Sequence, residues 1–193
     1  MSQKKQIIII DNHDSFTYNL YQLFDEHPDC DVTVVQNDQI NLDAISSFDQ
    51  IVFSPGPDIP QKSPIMYQVL EKYKETKPIL GICLGHQAIG DYFGATLFNL
   101  PDVLHGQQRS LCILDSGELL FRGVANNSTV GLYHSWALAA ESIPPELIVT
   151  AVSTDGIIMG IRHQEYNIRG IQFHPESFMT EQGAMMIKNW IEQ

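Results

Sequence analysis

Gly81-Ile82-Cys83-Leu84-Gly85-His86-Gln87 sets a thiol between two glycines, after the apolar run Pro78 to Ile82 and before a stretch of helical character from His86 to Phe93. G-x-C-x-G is the spacing of a nucleophile elbow, a strand that turns sharply into a helix with the reactive side chain at the corner. A thiol at that corner sits at a helix N-terminus, where free N–H groups and the helix dipole favour the thiolate. The chemistry it points to is acyl transfer through a covalent thioester.

Before the elbow, the β-branched run Gln6 to Asp11 reads as a strand, and Ser15 to Glu26, with Phe16, Leu20, Leu23 and Phe24 at helical spacing, as a helix capped by Asp14 or Ser15. Asp31 to Gln36, Gln50 to Ser54 and Ile79 to Cys83 read as further strands, with a helix from Pro64 to Glu75 before the last. Strands alternating with helices predict a parallel sheet covered on both faces. Beyond Ala95 the pattern shortens to strands at 95–99, 109–114, 129–134, 147–153, 157–163 and 168–173, several of them separated by turn signals such as Asp155-Gly156, and a last helix at 181–191. No linker interrupts it, so residues 1–193 are expected to form one α/β domain, mostly parallel with an antiparallel extension. Asp11-Asn12, Ser54-Pro55-Gly56 and Cys83 each follow an apolar strand and are expected on one rim, at the strands' carboxyl ends.

Composition narrows the function. A net charge of −12 offers no basic stripe for a phosphate backbone, which argues against a nucleic-acid partner. Three cysteines, at 30, 83 and 112, without CxxC spacing argue against a disulfide framework and a zinc site, and predict a reducing cytoplasm. The N-terminal apolar run, Ile7 to Ile10, is too short for a signal peptide, and no stretch reaches the ~18 apolar residues of a membrane span.

A thiolate nucleophile needs a base, and the base needs an orienting partner. Gln172-Phe173-His174-Pro175-Glu176-Ser177 supplies both at the end of the last strand. In extended chain, residues two apart share a face, so His174 and Glu176 lie side by side, and Pro175 holds His174 away from helical backbone. For Cys30 and Cys112 the ordinary fate of a free cysteine, a small buried hydrophobe, is sufficient; it does not account for the glycines around Cys83. His13, His27 and His163 likewise read as surface or core histidines. At an elbow the residue after the nucleophile offers an oxyanion donor, here Leu84 N–H, and the stiff turn Ser54-Pro55-Gly56-Pro57 lets Gly56 bring a second donor close.

With these residues in view, GICLGHQ at 81–87, HPES at 174–177 and SPGP at 54–57 resemble the class I (triad) glutamine amidotransferases, whose fold is flavodoxin-like and three-layered. DNHDSFTYNL at 11–20, LHG at 104–106 and YHS at 133–135 resemble the glutaminase subunits of anthranilate synthase and aminodeoxychorismate synthase. The resemblance implies that Cys83 attacks the side-chain amide of L-glutamine, that His174 relays the proton and that Glu176 orients His174. It places Gly56 and Leu84 at the oxyanion, and gives the α-amino and α-carboxyl groups to Gln87 and the backbone of Ser135 and Trp136. It implies no cofactor or metal, and a chorismate-binding synthase subunit on another polypeptide as the acceptor of ammonia: anthranilate synthase component I in tryptophan formation, or aminodeoxychorismate synthase component I in folate formation. Asp58 departs from the family pattern where a second glycine is frequent, Gln107 where a lysine is, and Trp136 where a smaller apolar residue is. Two other readings stay open: a catalytically silent glutamine-binding regulatory module, and a related cysteine hydrolase.

Overall fold

The computed structural model describes residues 4–193. Met1, Ser2 and Gln3, the start of the N-terminal stretch considered above, lie outside the described residues. The described residues form one nine-stranded sheet in the order β2-β1-β3-β4-β9-β8-β7-β5-β6 and four α-helices. Strands β1 (Lys5–Asp11), β2 (Cys30–Gln36), β3 (Gln50–Phe53), β4 (Ile79–Ile82) and β9 (Ile168–Ile171) pair in parallel. Strands β8 (Ile158–His163), β7 (Leu147–Ser153), β5 (Leu97–Ile113) and β6 (Thr129–Leu138) extend the sheet antiparallel from β9. The parallel part has the doubly wound order whose ligand crevice opens at the strands' carboxyl ends.

The run Ile7-Ile8-Ile9-Ile10 shows why β1 is buried on both faces of the sheet. Alternate side chains point to opposite faces, so Ile7 and Ile9 enter one apolar core and Ile8 and Ile10 the other. Helices α1 (Thr17–Asp25) and α4 (Gly183–Ile191) cover the first face, with Phe24 and Trp190 in edge contact at 5.8 Å. Helices α2 (Pro64–Tyr73) and α3 (Leu84–Tyr92) cover the second with Met66, Val69, Leu70 and Ile89. The result is the expected three-layer α/β arrangement.

Several boundaries differ from expectation. The strands at 95–99 and 109–114 are the two ends of the 17-residue β5, which runs through Pro101 and Gly106 by shifting register against β6 between Asn99 and Leu104 and again between His105 and Gln107. Such shifts accommodate residues that normally break a strand. Helix α1 begins at Thr17, with Phe16 at its N-cap and no capping side chain; Asp14 contributes one step earlier, accepting the Phe16 N–H at 2.8 Å. Helix α3 begins at Leu84, not His86, so the helix starts immediately after Cys83.

Candidate active site

Cys83 lies between β4 and α3 with φ 52° and ψ −99°, a conformation L-residues rarely adopt. Its N–H is tied to Ile171 O of β9 at 2.8 Å. The flanking glycines are required by close approach. A Cβ on Gly81 would lie 2.4 Å from the Gly85 backbone, and one on Gly85 would lie 2.6 Å from Phe53 Cβ. Strand β4, helix α3 and strand β3 therefore meet without side chains between them, and the 5 % exposed thiol stands at the head of α3.

His174 and Glu176 follow β9 on the same rim. His174 Nδ1 and Glu176 Oε1 are 2.6 Å apart, both side chains almost wholly buried. The loop is strapped at both ends: His174 N–H donates to Gly131 O at 3.1 Å, and Thr180 Oγ1 donates to His174 O at 2.6 Å. The rings of Phe16 and Tyr133 meet the imidazole edge-on, at centroid distances of 5.8 and 4.9 Å. Burial opposes a charge on the His174 ring, but the charge of Cys83 and the carboxylate of Glu176 outweigh it and hold its pKa well above 6.5. Its Nε2 has no hydrogen-bond partner of normal geometry among the described residues.

A small cavity of about 120 Å³ is lined by Gly56, Pro57, Asp58, Cys83, Gln87, Tyr133, His134, Ser135 and Trp136. Five of the residues expected from sequence, Cys83, Gly56, Gln87, Ser135 and Trp136, thus share one space. Leu84 is buried beside it: a Cβ on Gly56 would lie 2.7 Å from Leu84 Cδ2. As the first residue of α3, Leu84 carries one of the N–H groups that no intrahelical acceptor satisfies. Asp58 adopts φ 68°, with its own carboxylate accepting the Ile59 N–H at 3.0 Å. That left-handed backbone is the physical reason glycine suits the position.

Two polar residues set this geometry: Asn12, expected on the rim without a role of its own, and Gln172, the first residue of the segment that carries His174. Asn12 N–H donates to Ser54 Oγ at 2.8 Å and Asn12 Nδ2 to Ser54 O at 3.0 Å, fixing the turn that carries Gly56. Gln172, fully buried, donates through Nε2 to Cys83 Sγ at 3.5 Å and accepts at Oε1 from Gln87 Nε2 at 3.2 Å; the same Gln87 nitrogen donates to Trp136 O at 2.8 Å. Both residues adjoin recognisable motifs, but their partners are distant in sequence, and no local signal marks them.

Two further histidines line or underlie the site. Burial pushes the pKa of His86 down to about 3 and that of His134 to about 4. Both are therefore neutral when folded and take up protons only on unfolding below about 6.5, the free histidine value. The stability they contribute is complete above that pH and is lost as pH falls toward 4. Each extra proton on the unfolded chain makes a slope of about 1.4 kcal/mol per pH unit. Urea unfolding between pH 6 and 4.5 should show roughly 2.7 kcal/mol per unit from the pair, and His86→Leu should lower the slope by about half. An unchanged slope in that variant would contradict the buried neutral assignment.

Among the described residues no group of three or more His, Cys, Asp or Glu is placed to hold a metal ion, and no helix is long and apolar enough to cross a membrane.

The sequence model of the family described as glutamine amidotransferase class-I matches residues 8–193. Aminodeoxychorismate synthase component 2 of Escherichia coli is 43% identical over 189 residues, covering 97% of this chain and 100% of that protein. Anthranilate synthase component 2 of Pseudomonas aeruginosa is 42% identical over 194 residues, covering 97% and 95%. The crystal structure of a Thermoplasma acidophilum protein, provisionally assigned to GMP synthase, superimposes with a TM-score of 0.89 at 25% identity, covering 100% of this chain and 94% of that one.

Proposed function

This chain belongs to the class I glutamine amidotransferase family, and from that premise we propose that it hydrolyses L-glutamine through a Cys83 thioester and delivers the ammonia to a chorismate-using synthase subunit. The supporting observation is the gathering of the elbow thiol, the His174–Glu176 pair and the Gly56 turn packed against Leu84 on one rim. The whole chain, residues 1–193, serves as one glutaminase domain.

In the proposed reaction Cys83 Sγ attacks the side-chain amide carbon of glutamine, and the S–C bond forms as the carbonyl oxygen takes up negative charge near the N–H groups of Gly56 and Leu84. His174, held protonated, gives its proton to the amide nitrogen, the C–N bond breaks and ammonia leaves. Water then adds to the γ-glutamyl thioester while His174 takes its proton, and the C–S bond breaks to release glutamate and restore the thiolate and imidazolium. Glu176 keeps Nδ1 as the proton-bearing nitrogen that faces it. Gln87 has both Nε2 hydrogens engaged, with Trp136 O and Gln172 Oε1; its Oε1 is the atom left to accept from the α-ammonium group. The backbone of Ser135 and Trp136 completes the amino-acid end of the site.

A cavity of about 120 Å³ is smaller than the roughly 300–1,000 Å³ of sites for drug-sized ligands, which suits a free amino acid and disfavours the peptide or folyl substrates of a related cysteine hydrolase. The acceptor we propose is anthranilate synthase component I. Aminodeoxychorismate synthase component I is the second reading, since relatives of both names are similar to nearly the same degree, at 42% and 43% identity.

Reconstitution separates the branches. The chain alone should hydrolyse glutamine slowly, and mixing with the cognate synthase subunit should raise that rate and give one aromatic product from glutamine and chorismate. Anthranilate is the expected product. 4-Amino-4-deoxychorismate in its place would assign the other branch, and a high rate indifferent to either synthase would overturn the coupling.

A further inference from the structure

Gln172 is a fully buried primary amide, and its side-chain partners belong to the site itself. Burying an amide is unfavourable unless its polar atoms are engaged, and here they engage the nucleophile and a cavity-lining glutamine. The backbone fixes the placement. Gln172 follows β9, its N–H bonded to Met159 O of β8 at 3.0 Å, while Cys83 follows the adjacent β4 with its N–H on Ile171 O at 2.8 Å. The two side chains therefore leave neighbouring strand ends on the same rim. Gln87, one turn into α3, closes the arrangement by donating from one nitrogen to Gln172 Oε1 and Trp136 O.

We propose that Gln172 is a positioning residue for the nucleophile: its amide N–H holds Cys83 Sγ as the thiolate, while Gln87 fixes the Gln172 amide orientation and links it to the substrate-binding strand at Trp136. A neutral N–H donor is worth more to an anionic acceptor than to a neutral one, so the contact favours thiolate over thiol. The amide brings no charge and no proton of its own to the reaction, which leaves His174 to carry the proton. The orientation of Gln172 is set by this network: Gln87 presents it with a donor, so its oxygen faces Gln87 and its nitrogen faces the sulfur. Occupation of the site beside Trp136 is thereby connected to the thiol through two side-chain amides.

This assignment rests on the glutaminase reading for its consequence in catalysis, but its physical core concerns the thiol alone and is tested without glutamine. Gln172→Met and Gln172→Asn replace the side chain in opposite senses: one keeps the length without a donor, the other keeps the amide but withdraws it by a methylene. Alkylation of Cys83 by iodoacetamide, followed peptide by peptide by mass spectrometry across pH in the full chain, reads the thiolate directly. In both variants the pH midpoint of Cys83 alkylation should rise by about one unit, with Cys112 as an internal control that does not move. Glutamine hydrolysis should lose about tenfold or more in kcat with KM changed less than about threefold. Thermal melting identifies which variant is folded. A folded variant whose Cys83 midpoint stays at the wild-type value overturns the proposal, and so does a midpoint that rises in one folded variant and not in the other. Absence of glutamine hydrolysis in the wild-type chain, alone and with either synthase subunit, would instead remove the glutaminase reading and leave the alkylation result standing.

Discussion

Cys83→Ala is expected to abolish glutamine hydrolysis, by about 10³-fold or more, while a complex with the proposed synthase subunit keeps its rate with free ammonium. The fold should tolerate the change: the thiol is small, its backbone N–H bond to Ile171 O does not involve the side chain, and alanine fits wherever cysteine does. What disappears is the atom proposed to form the thioester, and no neighbouring group replaces it. Cys30 and Cys112, the other unpaired cysteines among the described residues, lie elsewhere: Cys30 Sγ contacts Phe24 O at the start of β2, and Cys112 is near the end of β5. Assays of the reconstituted complex with glutamine and with ammonium chloride give the two rates side by side. Equal loss of both would mean that the residue serves assembly, and retained glutamine-dependent synthesis would mean that the nucleophile lies elsewhere.

Gly183→Ala should come close to that effect from outside every motif. Gly183 opens α4, and a Cβ there would lie 1.9 Å from Pro175 O, 2.7 Å from Pro175 C and 2.9 Å from Pro175 Cα. Those atoms belong to the residue that separates His174 from Glu176, so α4 must move or the loop must. Moving the loop breaks the 2.6 Å contact between His174 Nδ1 and Glu176 Oε1 and unseats the imidazole from Phe16 and Tyr133. Overpacking of this kind costs up to roughly 3 kcal/mol, which for a chain of this size lowers Tm by roughly 6–12 °C. Loss of base orientation should reduce glutamine hydrolysis by about 10²-fold or more. Gly117→Ala, where the added carbon meets only Asp115 Oδ1 at 3.3 Å, should change neither quantity. A Gly183→Ala protein with wild-type Tm and activity would show that α4 does not brace the loop.

The residues that carry local chemistry are legible in sequence: an elbow of two glycines around Cys83, an extended His-Pro-Glu, a stiff Pro-Gly-Pro turn. So are the parallel strands, because β1, β3 and β4 are short runs of buried β-branched and aliphatic residues bounded by turns. The start of α3 is not, because Leu84-Gly85 has the look of a turn, whereas Gly85 is glycine to let the helix lie against Phe53. Strand β5 looks like two strands because Pro101 and Gly106 signal a break, and only its pairing with β6 across two register shifts keeps it one. Gln172 and Asn12 act through partners 89 and 42 residues away, and Gly183 through close approach to the backbone of Pro175. Local patterns hold no trace of such contacts. They are products of the topology, which sets the carboxyl ends of β1, β3, β4 and β9 side by side.

The central claim, that Cys83 is the atom on which glutamine is opened, is tested most directly by covalent capture. Incubating the chain with a diazoketone analogue of L-glutamine and mapping the adduct by peptide mass spectrometry should place one label on Cys83, with glutamine protecting against it and with none on Cys30 or Cys112. An unlabelled Cys83 in folded protein, or a label that glutamine does not compete away, would contradict it.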